Sequence, residues 1–359
     1  MTIPLSRPPV DAEIKEAVLA VIDSRQYILG PECRAFEEEF AGYIGTRHAV
    51  LTASGTAALW IALKAFGVKA GDELLVPAHT AFPTVEAVLF AEATPVFVDV
   101  DDSYTLDPAD AAAKISSRTV GIIPVHLYGH PVNLAAAREL SSQHGLWLLE
   151  DCCQAHGAAW KGKKVGGFGR AGAFSFYPSK NLTVMGDGGI LVTDEDEVAS
   201  RARRLRDHGR LNKDAHAEVG FNLRFNEIQA AVGRVLLRRL DAMNERRRAL
   251  AGRYAGRLAG LPLALPTEAP DARHVYHLYV IRTRRRDELA RFLKDRGIQT
   301  GIHYPVPCHR QPAAEHLGAP PLPRTERIVQ EILTLPLSAG HTDEEIDQVA
   351  TAVREFFGT

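Results

Sequence analysis

The sequence predicts an α/β protein that has a mainly parallel sheet in a large domain, followed by a smaller α+β domain. Between residues 73 and 193, short apolar runs alternate with helix-like stretches, which is the pattern of βαβ units. After residue 258 the regular alternation ends, and glycine and proline residues at 260–266 interrupt the chain. We therefore predict a large domain over residues 1–245 and a small domain over residues 246–359.

Periodicity predicts the elements of the large domain in order. Residues 11–23 have apolar side chains at helical spacing and form an amphipathic helix. Apolar runs predict strands at 73–76, 95–98, 120–123, 146–149 and 173–176, with helices at 83–91 and 133–144 between them. The run at 189–193 follows the preceding strand too closely for a helical crossover, so it predicts an antiparallel neighbour.

The remaining elements are a long helix and the parts of the small domain. The long helix is predicted over residues 226–258, and a strand follows over 274–281. Helices are predicted over 287–296 and 342–357. Thr342 and Glu345, three residues apart, have the spacing of a capping box at the start of the last helix.

Composition excludes several classes of protein. The chain has 359 residues, of which 46% are apolar and 24% charged, so about two globular domains are expected. The net charge of −2 gives no reason to expect a nucleic acid as partner. The N-terminus has no apolar core of signal-peptide length, and the most apolar window, residues 48–68, contains polar side chains. We predict a cytoplasmic protein that does not cross a membrane.

The four cysteines, Cys33, Cys152, Cys153 and Cys308, are too few for a disulfide framework in a chain of this size. Cys153 and His156 have half the spacing of a zinc site, but no second cysteine or histidine pair follows at the distance of a zinc finger. We therefore predict reduced cysteines and no metal.

Three segments could carry chemistry, and each has an alternative structural explanation. Residues 52–59 place small and hydroxyl side chains between a strand-like segment and a helix, which suits a phosphate or merely a helix N-cap. Asp151 ends a buried strand, where it can meet a ligand or cap the next helix. Lys180 lies in a loop rich in glycine, serine and aromatic residues, where it is a reactive amine or a surface lysine.

Together the three segments match what pyridoxal phosphate requires. This cofactor needs a lysine for its aldehyde, an acid beside its pyridine nitrogen and a cup for its phosphate. The chain offers all three, in the order cup, acid, lysine. Their joint occurrence favours the functional interpretation of each.

The chain resembles the sugar aminotransferases of the DegT/DnrJ/EryC1/StrS family, which have the fold-type I architecture of pyridoxal phosphate enzymes, similar to aspartate aminotransferase. The similarity extends over nearly the whole chain. The matching stretches are 27–30, 53–59, 95–99, 123–129, 150–158, 174–182, 220–231 and 301–305.

The resemblance assigns roles to residues of the cofactor site. Lys180 is expected to form the Schiff base with the cofactor and then to move a proton as the catalytic base. Asp151 is expected to pair with the pyridine nitrogen, and Gln154 to contact the ring. The expected phosphate contacts are Gly55, Thr56, Ser175 and, from the partner subunit of a homodimer, Asn222.

The chain departs from the family pattern at Thr80-Ala81-Phe82, where the aromatic residue is displaced by one position. Either Phe82 or His79 could therefore stack on the cofactor, and Phe82 could equally be a core residue. His303 and Tyr304 match a segment that lies near the sugar in relatives, although Pro305 also fits a simple turn at a strand end.

Other cationic residues have weaker claims to a ligand. Arginine runs at 201–206, 246–248 and 284–286 could attract a nucleotide diphosphate, but at helical spacing such runs more often face solvent. Arg224, which lies in a matched stretch, is a better candidate for a structural or ligand role.

The resemblance implies transfer of an amino group from L-glutamate or glutamine to a keto-sugar that is linked to a nucleotide. A 3-keto hexose is the first choice of acceptor. A cyclitol, inosose or other keto-polyol is the alternative acceptor. A pyridoxamine-dependent sugar dehydratase is disfavoured, because that enzyme has a histidine in place of the lysine. A regulator that binds the cofactor without catalysis is disfavoured by the intact Lys180, Asp151 and Gln154.

Overall fold

The structure is a computed structural model and describes residues 2–358. Its helices are α1 (Ala12–Ser24), α2 (Pro31–Ile44), α3 (Gly55–Phe66), α4 (Phe82–Phe90), α5 (Pro108–Ala113), α6 (Leu134–His144), α7 (Asp196–Arg206), α8 (Glu227–Leu258), α9 (Arg286–Asp295), α10 (Pro323–Glu331) and α11 (Asp343–Phe357). Its strands are β1 (His48–Thr52), β2 (Glu73–Pro77), β3 (Thr94–Val98), β4 (Thr119–Ile122), β5 (Trp147–Asp151), β6 (Ala159–Trp160), β7 (Lys163–Lys164), β8 (Ala171–Ser175), β9 (Gly189–Thr193), β10 (Ala272–Arg273), β11 (Tyr279–Arg282) and β12 (Ile332–Leu335).

The central sheet has seven strands in the order β1-β9-β8-β5-β4-β2-β3. Strands β3, β2, β4, β5 and β8 pair in parallel, whereas β9 pairs antiparallel with both β8 and β1. The predicted antiparallel neighbour at 189–193 is therefore confirmed. The carboxyl ends of β5 and β8 open at the same edge of the sheet, where ligands bind in open α/β folds.

Helices cover the sheet on both faces, as the continuous apolar runs of its strands require. Successive strand residues separate onto the two faces, so that Leu51 and Leu75 join one core cluster and Val50 and Leu74 join the other. The first cluster also takes side chains of α2 and α8, and the second takes side chains of α3, α4 and α7. This double burial holds the strand ends rigidly in place.

The C-terminal part has a core of its own around the two-stranded sheet of β11 and β12. Side chains of α9 and α11 pack in this core, and Ile3 joins them from the N-terminal segment. Helix α8 serves both parts, because Leu240 packs in the first cluster of the large sheet and Leu250 in the core of the small one. This change of core supports the predicted division at residue 245, which stays a proposal.

Most predicted elements are confirmed within two residues, including the capping box of Thr342 and Glu345 at the start of α11. The strand predicted over 274–281 is wrong in its first half, because only Tyr279–Arg282 forms a strand. The preceding segment contacts the loop after β4 instead, since the Val275 amide donates to the Gly129 carbonyl at 3.1 Å. Among the described residues, no helix combines the length and apolarity needed to span a bilayer.

Candidate active site

The first part of the site is the N-terminus of α3, where the backbone packs against the end of β8. A Cβ atom added to Gly55 would lie 2.7 Å from Cβ of Ser175 and 2.8 Å from Sγ of Cys153. Only glycine fits such an approach. Ser54 caps the helix by accepting a hydrogen bond from the Ala57 amide at 3.1 Å. The amides of the first turn, with the Ser175 hydroxyl beside them, suit a phosphate.

The second part is the Asp151 carboxylate at the end of β5, which is 4% exposed. One of its oxygens accepts from the Cys153 amide at 3.0 Å, and the other from the Thr84 hydroxyl at 2.8 Å. Because Thr84 spends its one proton on Asp151, Thr80 must donate to the Thr84 oxygen, 3.0 Å away. A chain of hydroxyls therefore orients the carboxylate from behind.

Gln154 links the large domain to the segment that holds Tyr304. Its side-chain oxygen accepts from the Tyr128 amide at 2.8 Å, and its nitrogen donates to the Tyr304 hydroxyl at 3.1 Å. Both ends of the amide are thus fixed by partners, and its orientation is determined. Gln154 is placed to hold Tyr304 at the entrance of the site.

The hydroxyl of Tyr128 connects two further residues. It donates to the His303 carbonyl, which can only accept, so His79 must donate from Nε2 to the same hydroxyl, 2.7 Å away. Burial lowers the pKa of His79 to about 4. His79 is therefore a neutral hydrogen-bond donor at neutral pH.

A cavity of about 260 Å³ is lined by residues from the large-sheet part and from the C-terminal part of the chain, among them Lys180, His303 and Tyr304. The Lys180 amine has no hydrogen-bond or ion-pair partner within residues 2–358. Burial lowers the pKa of Lys180, although Cys153 and Asp151 oppose the shift. An amine with a lowered pKa is more readily deprotonated, which suits both attack on a carbonyl and proton transfer.

Two histidines, one on the cavity and one buried away from it, were not identified from the sequence as site residues. His277 lines the cavity wall and is 4% exposed. His156 is fully buried between Phe174 and Phe176, and burial, reinforced by the Lys180 charge, lowers its pKa to about 3. Both imidazoles are neutral, so neither repels a cationic Lys180.

Not all predicted site residues meet in this cluster. Phe82 packs against the core of α3, α4 and α7, which agrees with the alternative that it is a core residue. Asn222 is exposed, and its backbone pairs with Asp207. Thr56 is half-buried beside Gly55 in the first turn of α3. The roles predicted for these residues stay predictions.

Sequence reasoning also missed Thr84, Tyr128 and the N-terminal residues Leu5 and Ser6, which line the cavity. The spacing of Thr80 and Thr84 was visible as a motif, but nothing in the sequence connects them to Asp151, 67 positions away. Leu5 reaches the cavity because its carbonyl accepts from the Leu337 amide at 3.2 Å. No local pattern signals such a long-range pairing.

His126, Glu150 and Cys152 place potential metal-ligand atoms within 4.8 Å of one another. Hydrogen bonds account for this group. Nδ1 of His126 accepts from the Val132 amide at 3.1 Å, so its Nε2 donates to Glu150, 3.2 Å away. Glu150 also accepts from three backbone amides in the loop before β8. The cluster thus serves to tie that loop to β5.

Arginines of the runs predicted as possible ligand sites form ion pairs with carboxylates of the same chain. Arg201 pairs with Glu218 at 3.0 Å, and Arg206 pairs with Glu37. Arg248 pairs with Glu268 at 2.6 Å. Arg224 pairs with Asp207 at 3.1 Å, which is a structural role. The interpretation of these runs as structural or solvated faces is therefore favoured over a diphosphate site.

The residues present fit pyridoxal phosphate. The first turn of α3 offers backbone amides beside Ser175, the Asp151 carboxylate ends β5, and the Lys180 amine has no partner within residues 2–358. These are the three groups that the cofactor requires. Cys153 lies among these groups: its amide donates to Asp151 at 3.0 Å, and its Sγ lies beside Gly55.

Comparisons with known proteins agree with this site. The model of the DegT/DnrJ/EryC1/StrS aminotransferase family matches residues 8–354. A dTDP-3-amino-3,4,6-trideoxy-α-D-glucose transaminase of Streptomyces venezuelae is 47% identical over 96% of this chain and 92% of its own. The erythromycin biosynthesis sensory transduction protein EryC1 of Saccharopolyspora erythraea is 45% identical over 96% of this chain and 95% of its own. A UDP-N-acetyl-3-dehydro-α-D-glucosamine 3-aminotransferase of Acidithiobacillus ferrooxidans is 42% identical, covering 96% and 94%.

Solved structures show the same architecture. The crystal structure of S. venezuelae DesV in complex with a ketimine intermediate aligns with a TM-score of 0.96 and 45% identity, covering 100% of this chain and 99% of that one. NtdA from Bacillus subtilis, solved with bound cofactor PMP, aligns with a TM-score of 0.90 and 31% identity, covering 97% and 82%. The predicted fold class and the predicted cofactor, pyridoxal 5′-phosphate, are confirmed.

Proposed function

Since this chain belongs to the DegT/DnrJ/EryC1/StrS aminotransferase family, we propose that it transfers an amino group from L-glutamate to a nucleotide-linked 3-keto hexose. The chain is an aminotransferase, with an amino donor and a keto-sugar acceptor. Glutamate rather than glutamine, the nucleotide carrier and carbon 3 are the finer parts of the proposal. Relatives named as 3-amino-sugar transaminases support carbon 3.

The observation that carries the proposal is the Lys180 amine on the cavity. It lacks a partner in the described part of the chain, and its pKa is lowered by burial. The bound cofactor supplies an electron sink, which makes a carbon-bound proton of the donor removable. Lys180 can then take this proton and return it, because its lowered pKa leaves more of the amine in the neutral form that accepts a proton.

Other residues of the chain position the reacting groups. Asp151 is held by Thr84 and the Cys153 amide, so its carboxylate is fixed where the pyridine nitrogen is expected. Gly55, Thr56 and Ser175 are proposed to hold the phosphate, and Gln154 to face the ring. His303 and Tyr304, which line the cavity together with Lys180, are proposed to contact the sugar.

A regulator without catalysis is the second candidate, because one relative is named a sensory transduction protein. The intact Lys180 and Asp151 count against it, since a regulator needs neither a base nor an electron sink. The dehydratase alternative is disfavoured for the same reason, because position 180 is a lysine. A cyclitol acceptor would react by the same chemistry, but relatives named as sugar aminotransferases do not favour it.

The test combines two measurements on the purified protein. L-Glutamate and glutamine are compared as donors by the release of their 2-oxo acids. A set of dTDP- and UDP-linked 3-keto and 4-keto hexoses and a scyllo-inosose is then screened by mass spectrometry for the aminated product. Formation of a 3-amino sugar supports the proposal, whereas amination of inosose alone refutes the sugar acceptor. Absence of any 2-oxo acid would favour the regulator.

We further propose that the catalytic unit is a homodimer in which Asn222 completes the phosphate site of the partner subunit. The support is that Asn222 is exposed and lies outside the site of its own chain. The test mixes inactive Lys180→Ala and Asn222→Ala subunits. Shared sites would restore activity in hybrid dimers, because one site then has both residues, whereas self-contained sites would leave the mixture inactive.

A further inference from the structure

His277 lies on the cavity beside Lys180, but neither the cofactor nor the proposed acid-base chemistry uses it. Its imidazole is 4% exposed. Nδ1 of His277 lies 3.3 Å from the side-chain oxygen of Asn181, the residue after the lysine. Nε2 has no partner within the described residues 2–358 and is not among the buried unpaired atoms, so its free surface is on the cavity.

A chain of buried amides fixes the proton on His277, and it starts at a backbone carbonyl. The carbonyl oxygen of His156 can only accept, so the side-chain nitrogen of Asn244, 2.8 Å away, donates to it. The side-chain oxygen of Asn244 is then an acceptor. Asn181 must donate to it from its side-chain nitrogen, 2.9 Å away. Asn244 is 2% exposed and Asn181 5%, so water does not compete.

A second carbonyl confirms this orientation of Asn181. The same side-chain nitrogen donates to the Val275 carbonyl at 3.1 Å. With both protons of the nitrogen used, the side-chain oxygen of Asn181 is left to accept from His277. His277 therefore carries its proton on Nδ1.

The imidazole has only that one proton. Burial, with the nearby charges of Lys180 and Arg247, lowers the pKa of His277 well below its ordinary value. A neutral ring protonated at Nδ1 has a bare lone pair at Nε2. The polar atom that His277 presents to the cavity is thus an acceptor that cannot donate.

We infer that Nε2 of His277 accepts a hydrogen bond from a hydroxyl of the sugar next to the carbon that is aminated, so that His277 is a specificity-determining residue. This inference rests on the proposed function, which places a keto-sugar in this cavity. A site with a fixed acceptor discriminates against molecules that offer no donor, because the acceptor is then left unpaired.

The same lone pair discriminates between the two substrates of the reaction. A keto-sugar offers hydroxyl donors beside its carbonyl. Glutamate offers, apart from the amine that reacts, only carboxylates, which are acceptors and gain nothing from a lone pair. His277 is therefore expected to act in the sugar half-reaction and to be silent in the glutamate half-reaction.

The first test is the position of the proton, and it needs neither cofactor nor substrate. Histidine labelled with ¹⁵N in the cofactor-free protein, with His277→Gln used to assign the signal, should show a protonated Nδ1 and an unprotonated Nε2 for His277 at neutral pH. Protonation at Nε2, or at both nitrogens, would overturn the inference.

The second test compares two variants in the two half-reactions, each followed by the absorbance change of the bound cofactor. His277→Asn keeps an amide beside Asn181 but ends short of the cavity, whereas His277→Gln places an amide oxygen near the position of Nε2. The probes are L-glutamate and the sugars dTDP-3-amino-3,4,6-trideoxy-α-D-glucose and dTDP-3-amino-3,6-dideoxy-α-D-galactose, used in the reverse direction.

The expected result is a loss of about 10- to 100-fold in the sugar half-reaction of His277→Asn, with the glutamate half-reaction within twofold of wild type. His277→Gln should recover most of the sugar rate. Equal losses in both half-reactions would overturn the inference, because His277 would then act on Lys180. An unchanged His277→Asn would also overturn it, while leaving the proposed function intact.

Failure of the proposed function gives a different pattern. If the wild-type protein reacts with glutamate but aminates none of the dTDP- and UDP-linked keto hexoses of the acceptor screen, the nucleotide-linked sugar substrate is refuted, and the inference that rests on it falls too. The wild-type measurement thus separates the two failures before any variant is compared.

Discussion

The active site has two walls, which are built in different ways. The large-domain wall is the set of groups at the edge of the large sheet, and the small-domain wall is the part of the cavity lining that comes from outside that sheet. On the large-domain wall, Asp151 and Ser175 come directly at the ends of neighbouring strands, and Gly55 opens the helix after β1. On the small-domain wall, Leu5, His277 and Leu337 come from distant parts of the chain. The first wall is a product of sheet geometry, whereas the second depends on long-range pairings.

The walls also differ in how their polar groups are satisfied. Both carboxylate oxygens of Asp151 have protein partners, and so do both ends of the Gln154 amide. By contrast, Nε2 of His277 on the other wall has no partner within residues 2–358, and neither has the Lys180 amine between the walls. Groups that position the cofactor are fixed by the protein, and groups that act on substrates are left free to bind them.

The largest expected effect is at Lys180, between the two walls. Lys180→Ala should lower turnover by at least about 10³-fold, because it removes both the nucleophile and the base. The measurement is 2-oxo acid formation from the donor. The control is Lys161→Ala, since Lys161 is an exposed lysine that pairs with Asp271 at 3.4 Å. Full turnover by Lys180→Ala would refute the assignment.

The next effect tests the rigidity of the large-domain wall. Gly55→Ala should weaken cofactor binding by up to about 100-fold, because the added methyl group has no room beside Ser175 and Cys153. Titration of the cofactor-free protein with pyridoxal phosphate measures this. Gly42→Ala in α2 is the matched control, because a Cβ there meets nothing within 4 Å. Similar affinities for the two variants would contradict the proposed cup.

The third effect concerns His79, which joins the walls through Tyr128. Its pKa is about 4 when folded, against an ordinary value of 6.5. At pH 5 the unfolded chain therefore binds a proton that the folded chain does not. Stability is lost as the pH falls, by about 2 kcal/mol between pH 7 and pH 5 from this residue.

His79→Gln should remove this component of the pH dependence. Urea unfolding at pH 7 and pH 5 measures it, and the difference between the two pH values should shrink by about 2 kcal/mol relative to wild type. His144→Gln, at an exposed position, should leave the difference unchanged. A His79→Gln protein with the pH dependence of wild type would show that His79 is not held neutral.

The smallest expected effect is on the small-domain wall. Tyr304→Phe removes the acceptor of Gln154 and should lower kcat/KM for the sugar by about 3- to 10-fold, with cofactor affinity unchanged. Tyr279→Phe is the control, because the buried Tyr279 hydroxyl has no hydrogen-bond partner in the described part of the chain. A loss of cofactor affinity in Tyr304→Phe would mean that the two walls are not independent.

The same difference explains how much the sequence could predict. The strand ends were predictable because apolar runs locate the strands, and side chains at the carboxyl ends of parallel strands meet at one edge. Lys180, Asp151 and Gly55 were found in this way, together with the resemblance to a known family. Their proximity in the structure follows from the order of β5, β8 and β1 in the sheet.

The small-domain wall was not predictable for a physical reason. His277 lies in an apolar stretch whose composition predicts a strand. In the structure the strand begins only at Tyr279, and His277 lies in the irregular segment before it, where it contacts Asn181. Thr84 was visible as part of a threonine motif, but its contact with Asp151 depends on how α4 docks against β5. Long-range hydrogen bonds of this kind leave no local period in the sequence.

Helix α8 connects the two parts of the chain that form these walls, because it packs in the core of each. At a rise of about 1.5 Å per residue, its 32 residues form a helix about 48 Å long. Its N-terminal half packs in the core of the large sheet, and its C-terminal half packs in the core of the small one. Asn244, whose side chain begins the series of amide hydrogen bonds to His277, lies near the middle of this helix. A displacement of α8 at Asn244 would therefore change the hydrogen bonds that fix the proton of His277.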